Sequence, residues 1–474
     1  MIFIDKKSKT PYYLQIYSQL QADILNKKFK SGDVLKGSRI LSKEIGVGRN
    51  TVDNAYSQLA AEGYIESKKG VGFIVQDINE VNFSISNAEI KQSLKYESKN
   101  LKDNNILYNL SYGDFTDDLF PAIQWKKYMS DALSEKNMYK INKCIDGKGD
   151  ILLRKQLVSY LNNSRGVCCN EDQIIITSGL QHSLEIICKL IFSDGGTIGF
   201  EEPGYDGAKV VFKNNNLKIE ALEVDDKGLK VSELENHKNS NINAIYITPS
   251  HQFPTGATMP INRRYELLNW SYINNTYIIE DDYDSEFGYN ANPIPSLQSI
   301  DKNNKVIYLG TFSKTLSPSI RIGYFVLPRH LLNIYNQTFD KYNNSVSWID
   351  QYILSRFIET GFYERHVRKL RLKFKKRFDL FISEITKMNK EIKIHQNGTG
   401  LYFILEFPKK YNQDWLIKKA LDEQIKVYPT IQYWQNKEHC PKNTLFIAFS
   451  QIDILDIPDC ISRLNKAWFS NLKT

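Results

Sequence analysis

The sequence predicts an α/β protein in which a small helical head with a two-stranded wing precedes a large, mostly parallel α/β body and a smaller C-terminal α/β domain. The 474 residues are too many for one ordinary core. The first 75 residues show helical periodicity and then two strand patterns, whereas the rest alternates short apolar runs with helical stretches. We expect a head at 1–75, a linker at 76–105 and a body at 106–474.

Composition excludes several classes of protein. Hydrophobic residues at 42% and charged residues at 24% describe a globular chain. No apolar stretch approaches the roughly 18 to 20 residues that span a bilayer, and the start Met1–Lys7 is unlike a secretory signal, so we expect a cytoplasmic protein. The six cysteines lack paired spacing, which predicts reduced thiols buried as small apolar groups and no metal site.

The head reads as three helices and a hairpin. Apolar residues recur at three- and four-residue steps from Tyr13 to Ile24, Ser38 is a good N-cap for a second helix, and Gly46 supplies a turn before a third helix at Arg49–Glu62. Two short helices joined at a glycine form a helix-turn-helix. Strand patterns at 64–67 and 73–75 around a basic tip then predict a wing.

The charge of the head favours a nucleic-acid partner. Residues 1–75 hold 12 Lys or Arg against 7 Asp or Glu, a net +5, whereas the whole chain carries +8. The first turn of the third helix would enter the major groove, and side chains around it and on the wing would reach bases or phosphates. The candidates are Arg39, Arg49, Asn50, Thr51, Lys68, Lys69 and Gly70. The alternative is that Arg49 only caps a surface helix.

Four apolar runs of the body end in polar or glycine-rich turns. We expect a large subdomain at about 106–355 and a connecting helix and small subdomain at about 356–474. The carboxyl ends of parallel strands lie at one edge of a sheet, where ligands bind, so the four turns should converge on one cleft. The runs are 174–176, 244–247, 277–279 and 306–309.

The residues of these turns match the needs of pyridoxal phosphate. This cofactor requires a lysine for a Schiff base, a carboxylate for its pyridine nitrogen, a donor near its ring oxygen and a flat partner for its ring. Lys314, Asp281, Tyr283 and Tyr205 supply these groups in that order. Each residue alone has an ordinary structural explanation, but their combination on one α/β sheet favours the cofactor.

The phosphate of the cofactor also has candidate partners. A helix that opens after a strand offers free backbone amides and a favourable dipole to a phosphate dianion. The hydroxyl of the serine before Lys314 and an arginine seven residues beyond Lys314 would complete the site. The residues are Ser178, Gly179, Leu180, Gln181, Ser313 and Arg321.

Two families share these motifs. The head resembles the DNA-binding domain of the GntR superfamily through Gly46-Val47-Gly48-Arg49-Asn50-Thr51-Val52 and Glu62-Gly63-Tyr64-Ile65. From about 109 to 471 the chain resembles fold-type I aminotransferases through Glu202-Pro203-Gly204-Tyr205, Pro254-Thr255-Gly256, Glu280–Phe287 and Ser313-Lys314. The order of head, linker and body is similar to that of the MocR/GabR family of transcriptional regulators. This resemblance implies a PLP-binding body and a homodimer, commonly head-to-tail.

The resemblance also assigns roles and shows departures. It implies that Lys314 carries the cofactor and that His251, in the motif 251–256, lies in the cofactor region. Phe253 stands where catalytic aminotransferases usually have a ring-contacting asparagine, which favours sensing over turnover. Cys144 lies where a tyrosine of the neighbouring subunit often contacts the phosphate. The last 95 residues contain one arginine, Arg463, so the usual arginine for an amino acid's carboxylate is not evident.

The leading hypothesis is a dimeric, PLP-dependent transcriptional regulator that senses an amine, an amino acid or PLP itself. With no evident carboxylate arginine, control of vitamin B6 metabolism is the favoured pathway. One alternative is an active aminotransferase with a DNA-binding appendage, and another is a DNA-binding protein whose body is an empty dimerisation scaffold. A basic amphipathic stretch at 357–385 predicts a connecting helix, with a DNA contact as the alternative.

Overall fold

A computed structural model describes residues 2–77, 106–289 and 294–469, except for the side chains of 117 and 237–240. The chain divides into two compact units, Met1–Leu101 and Lys102–Thr474. Most of the proposed linker lies outside the described residues. None of the helices in the described ranges is both long and apolar enough to cross a membrane.

The head is a winged helix-turn-helix. Its helices bury Ile16, Val52 and Leu59 in a common core, and the two strands pair antiparallel. Gly46 adopts a φ of +69° and turns the chain between the second and third helices, as predicted. The elements are α1 (Tyr12–Leu25), α2 (Ser38–Ile45), α3 (Arg49–Ala61), β1 (Ile65–Lys68) and β2 (Gly72–Val75).

The strands of the body are β3 (Tyr108–Asn109), β4 (Ile174–Thr177), β5 (Thr197–Glu202), β6 (Lys218–Asp225), β7 (Gly228–Leu229), β8 (Ile242–Ile247), β9 (Tyr277–Asp282), β10 (Val306–Thr311), β11 (Gly323–Val326), β12 (Lys393–His395), β13 (Tyr402–Glu406), β14 (Ile425–Lys426), β15 (Tyr428–Pro429) and β16 (Thr444–Ala448). Eight of them form one sheet with the order β4-β11-β10-β9-β8-β5-β6-β7. The strands from β10 through β6 in this order are parallel, which confirms the mostly parallel sheet.

Helices cover both the large sheet and the small subdomain. In the small subdomain four strands pair in the order β12-β13-β16-β15, and their apolar side chains pack with Phe374, Phe381 and Trp468 in one core. The helices are α4 (Ala122–Ala132), α5 (Met138–Ile141), α6 (Ile151–Arg165), α7 (Leu180–Ile191), α8 (Asp206–Asn214), α9 (Ile261–Ile273), α10 (Arg329–Thr338), α11 (Trp348–Glu359), α12 (Phe362–Met388), α13 (Gln413–Asp422) and α14 (Ile457–Phe469).

Several details differ from the sequence-based expectations. Ser38 is the first residue of α2 and makes no capping hydrogen bond, because its side chain is buried in the head. The connecting helix begins after a break at Gly361, where φ is +69°. Strand β11 pairs antiparallel with both β4 and β10 and was not predicted. Cys188, Cys440 and Cys460 are buried as expected, whereas Cys144 and Cys168 are exposed.

A buried ion pair fixes the end of β9, the strand that carries the acidic cluster. Arg165, the last residue of α6, contacts Asp282 through Nε at 2.7 Å and through a terminal nitrogen at 3.2 Å. Both side chains are at most 4% exposed. The Tyr308 hydroxyl donates a further hydrogen bond to Asp282 at 2.5 Å. The carboxylate is therefore fully compensated, and α6 is joined to the edge of the sheet that bears the predicted cleft.

We expect Arg165→Met to lower the free energy of unfolding of the body by about 3–5 kcal/mol, because it leaves the Asp282 carboxylate buried without its cation. All six tryptophans lie in the body, so urea unfolding followed by tryptophan fluorescence measures this unit. The control is Arg463→Met, since Arg463 pairs with Asp459 on the surface, where such pairs contribute about 0–1 kcal/mol. Equal losses in the two variants would contradict the role of the buried pair.

Candidate PLP site and DNA-binding head

The predicted strand ends meet at one cavity. It encloses about 430 Å³ and lies at the carboxyl ends of β9 and β10, against the N-terminus of α7. The small subdomain closes its other side with Tyr428, Gln432, Tyr433 and Phe446. Its wall includes most of the predicted cofactor residues, which are Leu180, Gln181, Tyr205, Asp281, Tyr283, Ser313, Lys314 and Arg321.

Lys314 presents its amine to this cavity. The Nζ atom lies 3.7 Å from the centroid of the Tyr112 ring, a cation–π distance. Burial lowers the pKa of Lys314 to about 8, although the carboxylates of Asp284, Asp114 and Asp281 oppose this shift. The amine is therefore more readily deprotonated than an ordinary lysine, as a nucleophile for an aldehyde needs to be.

Asp281 has one oxygen engaged by the protein. The Tyr246 hydroxyl donates to its Oδ2 atom in a buried contact. The pKa of Asp281 is raised to about 7, mainly by burial. The nearby Asp282 and Asp284 carboxylates also raise this pKa, whereas the tyrosine hydrogen bond lowers it. A cationic group in the cavity, such as a protonated pyridine nitrogen, would stabilise the ionised form of this carboxylate.

The turn before α7 and Arg321 form a tight anion-binding corner. Gly179 has a φ of +102°, and a Cβ atom there would lie 2.6 Å from a terminal nitrogen of Arg321. Arg321 itself has a φ of +53°, in the left-handed region that non-glycine residues rarely adopt. This backbone brings the guanidinium beside the free amides of the α7 N-terminus, where an anion is stabilised. Any larger residue than glycine at 179 would obstruct that approach.

The Tyr283 hydroxyl already makes hydrogen bonds within the protein. It donates to the backbone carbonyl of His251 at 2.9 Å and lies 2.8 Å from the Tyr402 hydroxyl of the small subdomain. His251 in turn places Nδ1 2.8 Å from Asp284 Oδ2. Of the predicted cofactor residues, His251 lies behind Tyr283 and outside the cavity wall, and Ser178 bonds to His182 instead of facing the cavity.

An aromatic cluster forms part of the cavity wall. Phe253 is 2% exposed and makes ring contacts with Tyr205 at 5.4 Å and with Tyr433 at 4.9 Å. Phe446 lies 5.7 Å from the same ring. Because Tyr433 and Phe446 belong to the small subdomain, this wall joins the two subdomains around the cavity.

The structure leaves most of the predicted DNA contacts exposed on the head. Thr51 is half-buried at the start of α3. Arg49 places Nε 3.4 Å from Asp53 on the surface of the same helix, which leaves most of its guanidinium accessible. The exposed candidates are Arg39, Arg49, Asn50, Lys68, Lys69 and Gly70.

Sequence reasoning missed several residues of the cavity. Tyr112 and Asp114 come from the segment after β3, which has no strong pattern of helix or strand before it. Tyr246 lies within an apolar strand, where it is indistinguishable from a core aromatic residue. The turn Ser111-Tyr112-Gly113-Asp114 was the one available signal, since polar loops often carry binding residues.

Two family descriptions match separate parts of the chain. "Bacterial regulatory proteins, gntR family" matches residues 12–75, and "Aminotransferase class I and II" matches residues 105–435. The HTH-type transcriptional regulators YdeL and YhdI of Bacillus subtilis are 33% and 34% identical and span 98% of this chain and 98% and 97% of their own lengths. The chain belongs to the MocR/GabR family of transcriptional regulators. It is a DNA-binding regulator with an aminotransferase-like body.

Solved structures support the fold of the body of this regulator. A kynurenine aminotransferase of Pyrococcus horikoshii superposes with a TM-score of 0.70 at 24% identity, covering 84% of the regulator and 98% of the enzyme. The α-aminoadipate aminotransferase LysN of Thermus thermophilus gives a TM-score of 0.68 at 23% identity, covering 80% and 93%. These similarities show a fold-type I architecture.

Pyridoxal phosphate is the cofactor of this family's fold, and the cavity fits it. Lys314 would supply the amine, Asp281 a carboxylate with one oxygen free of Tyr246, and Arg321 with the α7 amides an anion site. A Cβ atom at Gly179 would fill the space beside the Arg321 guanidinium. A phosphate site needs this close approach of backbone and guanidinium, whereas a hydrophobic core does not. When bound, the cofactor supplies an aldehyde that captures amines.

The lowered pKa of Lys314 predicts how PLP uptake depends on pH. Since only the neutral amine attacks an aldehyde, the initial rate of uptake by cofactor-free protein should rise with pH and reach half its maximum near pH 8. An ordinary lysine would give a midpoint near about pH 10.4. Stopped-flow absorption between about pH 6.5 and about pH 9.5 measures this rate. Lys314→Ala is the blank, and a rate that does not change with pH would contradict the prediction.

Proposed function

We propose that this regulator senses a metabolite through its PLP-bearing body and that the bound metabolite alters the affinity of the head for its operator. The observation that carries the proposal is the cavity itself. Lys314 and Asp281 both line it, and its wall is shared by the two subdomains. A ligand bound there contacts both subdomains and so favours one arrangement of the body over another.

Within the proposal, the residues of the body act by binding and by positioning. Lys314 holds the cofactor, Asp281 faces its pyridine nitrogen, Tyr205 stacks on its ring, and Gln181, Ser313 and Arg321 hold its phosphate. The effector is an amine that competes with the Lys314 amine for the aldehyde carbon, or PLP itself. The regulator acts as a homodimer, in which two heads contact two operator half-sites.

The names of the relatives do not agree on a pathway. The MocR protein of Rhizobium meliloti, 28% identical, is named for rhizopine catabolism, whereas PdxR of Corynebacterium glutamicum, 27% identical, is named for pyridoxine biosynthesis. Control of vitamin B6 metabolism, which the sequence favoured, therefore stays a hypothesis. Efficient transamination is not favoured, because Phe253 fills the cavity wall with an apolar ring.

Operator binding by the full-length protein tests the proposal. We expect Arg49→Ala to weaken binding of operator DNA, selected from genomic fragments, by about 1–3 kcal/mol, or about 5- to 150-fold, because Arg49 would contact bases or phosphates. Fluorescence anisotropy at one fixed salt concentration measures the affinity. The control is Lys387→Ala, which removes an exposed lysine paired with Glu384 in the body and should change the affinity less than twofold (about 0.4 kcal/mol).

The response to ligand is the second measurement. The wild-type protein should change its operator affinity about 5- to 150-fold when PLP or an amine is added, and Lys314→Ala should bind DNA without this response. An unchanged affinity in the wild-type protein under every ligand would reject sensing. Steady-state transamination at about 1 to 1000 per second would instead support the aminotransferase alternative.

A further inference from the structure

The charged side chains that line the cavity include more acidic than basic groups. Among the described residues, five charged side chains line it, and Lys314 and Arg321 are the basic ones. The acidic ones are Asp114, Asp206 and Asp281. In the proposed function Lys314, Arg321 and Asp281 are each assigned to one part of the cofactor. The two charges that remain for an effector are both negative.

This charge inventory disfavours an effector with a carboxylate. A carboxylate that enters a partly enclosed cavity loses hydration and needs a cation or several donors in exchange. Arg321 is held beside the Gly179 turn, where a Cβ atom would lie 2.6 Å from its terminal nitrogen, so it is committed to the anion corner. A carboxylate would instead meet the field of Asp114 and Asp206, and this repulsion lowers its affinity.

The aromatic part of the cavity wall is suited to an apolar or cationic group. Phe253, Tyr433 and Phe446 present ring faces and edges to the cavity, with centroids 4.9–5.7 Å apart. Aromatic faces attract cations and apolar groups and offer no strong donor to an anion. The Tyr112 hydroxyl is buried and has no hydrogen-bond partner among the described residues, so it is available to a ligand.

Asp114 lies close to the reactive amine. It follows Gly113, where a Cβ atom would be 3.8 Å from Lys314 Nζ. Its carboxylate accepts one hydrogen bond, from Gln451 at 3.1 Å, and its side chain is exposed at the rim of the cavity. A second ammonium on an amine bound beside Lys314 would meet this carboxylate.

We propose that the effector is a primary amine without a carboxylate, and that Asp114 selects amines that carry a second cationic group. The aromatic wall binds the carbon chain, and the cavity disfavours amino acids because no basic side chain is left to pair with a carboxylate. This inference rests on the proposed function, since it names the class of ligand for the same cavity.

Three amines of equal chain length test the ligand class in the full-length protein loaded with PLP. They are pentylamine, 1,5-diaminopentane and 5-aminopentanoate, titrated while both the cofactor absorption and the operator affinity are recorded. We expect both carboxylate-free amines to bind at least about tenfold more tightly than 5-aminopentanoate. Tighter or equal binding of 5-aminopentanoate would overturn the inference while leaving the sensing function in place. No response to any amine or to PLP would reject the proposed function as well.

Two variants separate the contribution of charge from that of shape. Asp114→Asn keeps the size and the acceptor of the side chain, and it should weaken 1,5-diaminopentane about tenfold while changing pentylamine less than about twofold. Gln432→Arg places a cation on an exposed wall position, and it should strengthen 5-aminopentanoate about tenfold without improving pentylamine. Asp422→Asn, on the surface of α13, is the matched control for lost charge. Equal effects of Asp114→Asn on both amines would refute selection by Asp114.

Discussion

The structure of the body depends on how it compensates acidic groups buried at the end of a single strand. Glu280, Asp281, Asp282 and Asp284 are all at most 7% exposed at or just after the carboxyl end of β9. Buried carboxylates that lie so close together are costly unless each has donors or a cation. The protein supplies different partners to each, which are two backbone amides to Glu280, Arg165 and Tyr308 to Asp282, and His251 to Asp284.

Asp281 is the exception in this cluster, and that difference defines the site. Its hydrogen-bond partner within the described protein is one hydroxyl, that of Tyr246, and of these four acidic residues only Asp281 lines the cavity. Burial raises its pKa to about 7, so the ionised and protonated forms have comparable populations at neutral pH. The protein thus keeps one acidic group poised for a cationic ligand by satisfying its neighbours.

Much of the site was predictable because it lies where strands end. Asp281, Lys314 and the Gly179 turn follow apolar runs, and parallel strands bring such turns to one edge of the sheet whatever the rest of the chain does. Pairing over long sequence separations was not predictable in this way. Tyr112 comes to Lys314 from about 200 residues away in the sequence, and His251 was assigned from its motif although its ring turns toward Asp284.

The unpredicted features of the fold have similar causes. Strand β11 follows the Lys314 loop, and its direction depends on pairing with β4, which lies far from it in sequence. Ser38 was expected to cap α2 because serine favours this position, yet packing in the head buries it inside the first turn. Local propensity was overridden in both places by contacts that a sequence pattern does not contain.

The hydrogen bond between Tyr283 and Tyr402 joins the two subdomains next to the cavity. Tyr283 belongs to the large subdomain at the cavity, and Tyr402 begins β13 of the small subdomain, so the 2.8 Å contact between their hydroxyls crosses from one to the other. Gly400 lies so near His251 that a Cβ atom there would be 2.1 Å from the His251 ring. The two subdomains are therefore in direct contact at Tyr283 and His251. A ligand that draws the Tyr283 hydroxyl toward the cavity must weaken this contact, and its binding energy then favours a different placement of the small subdomain.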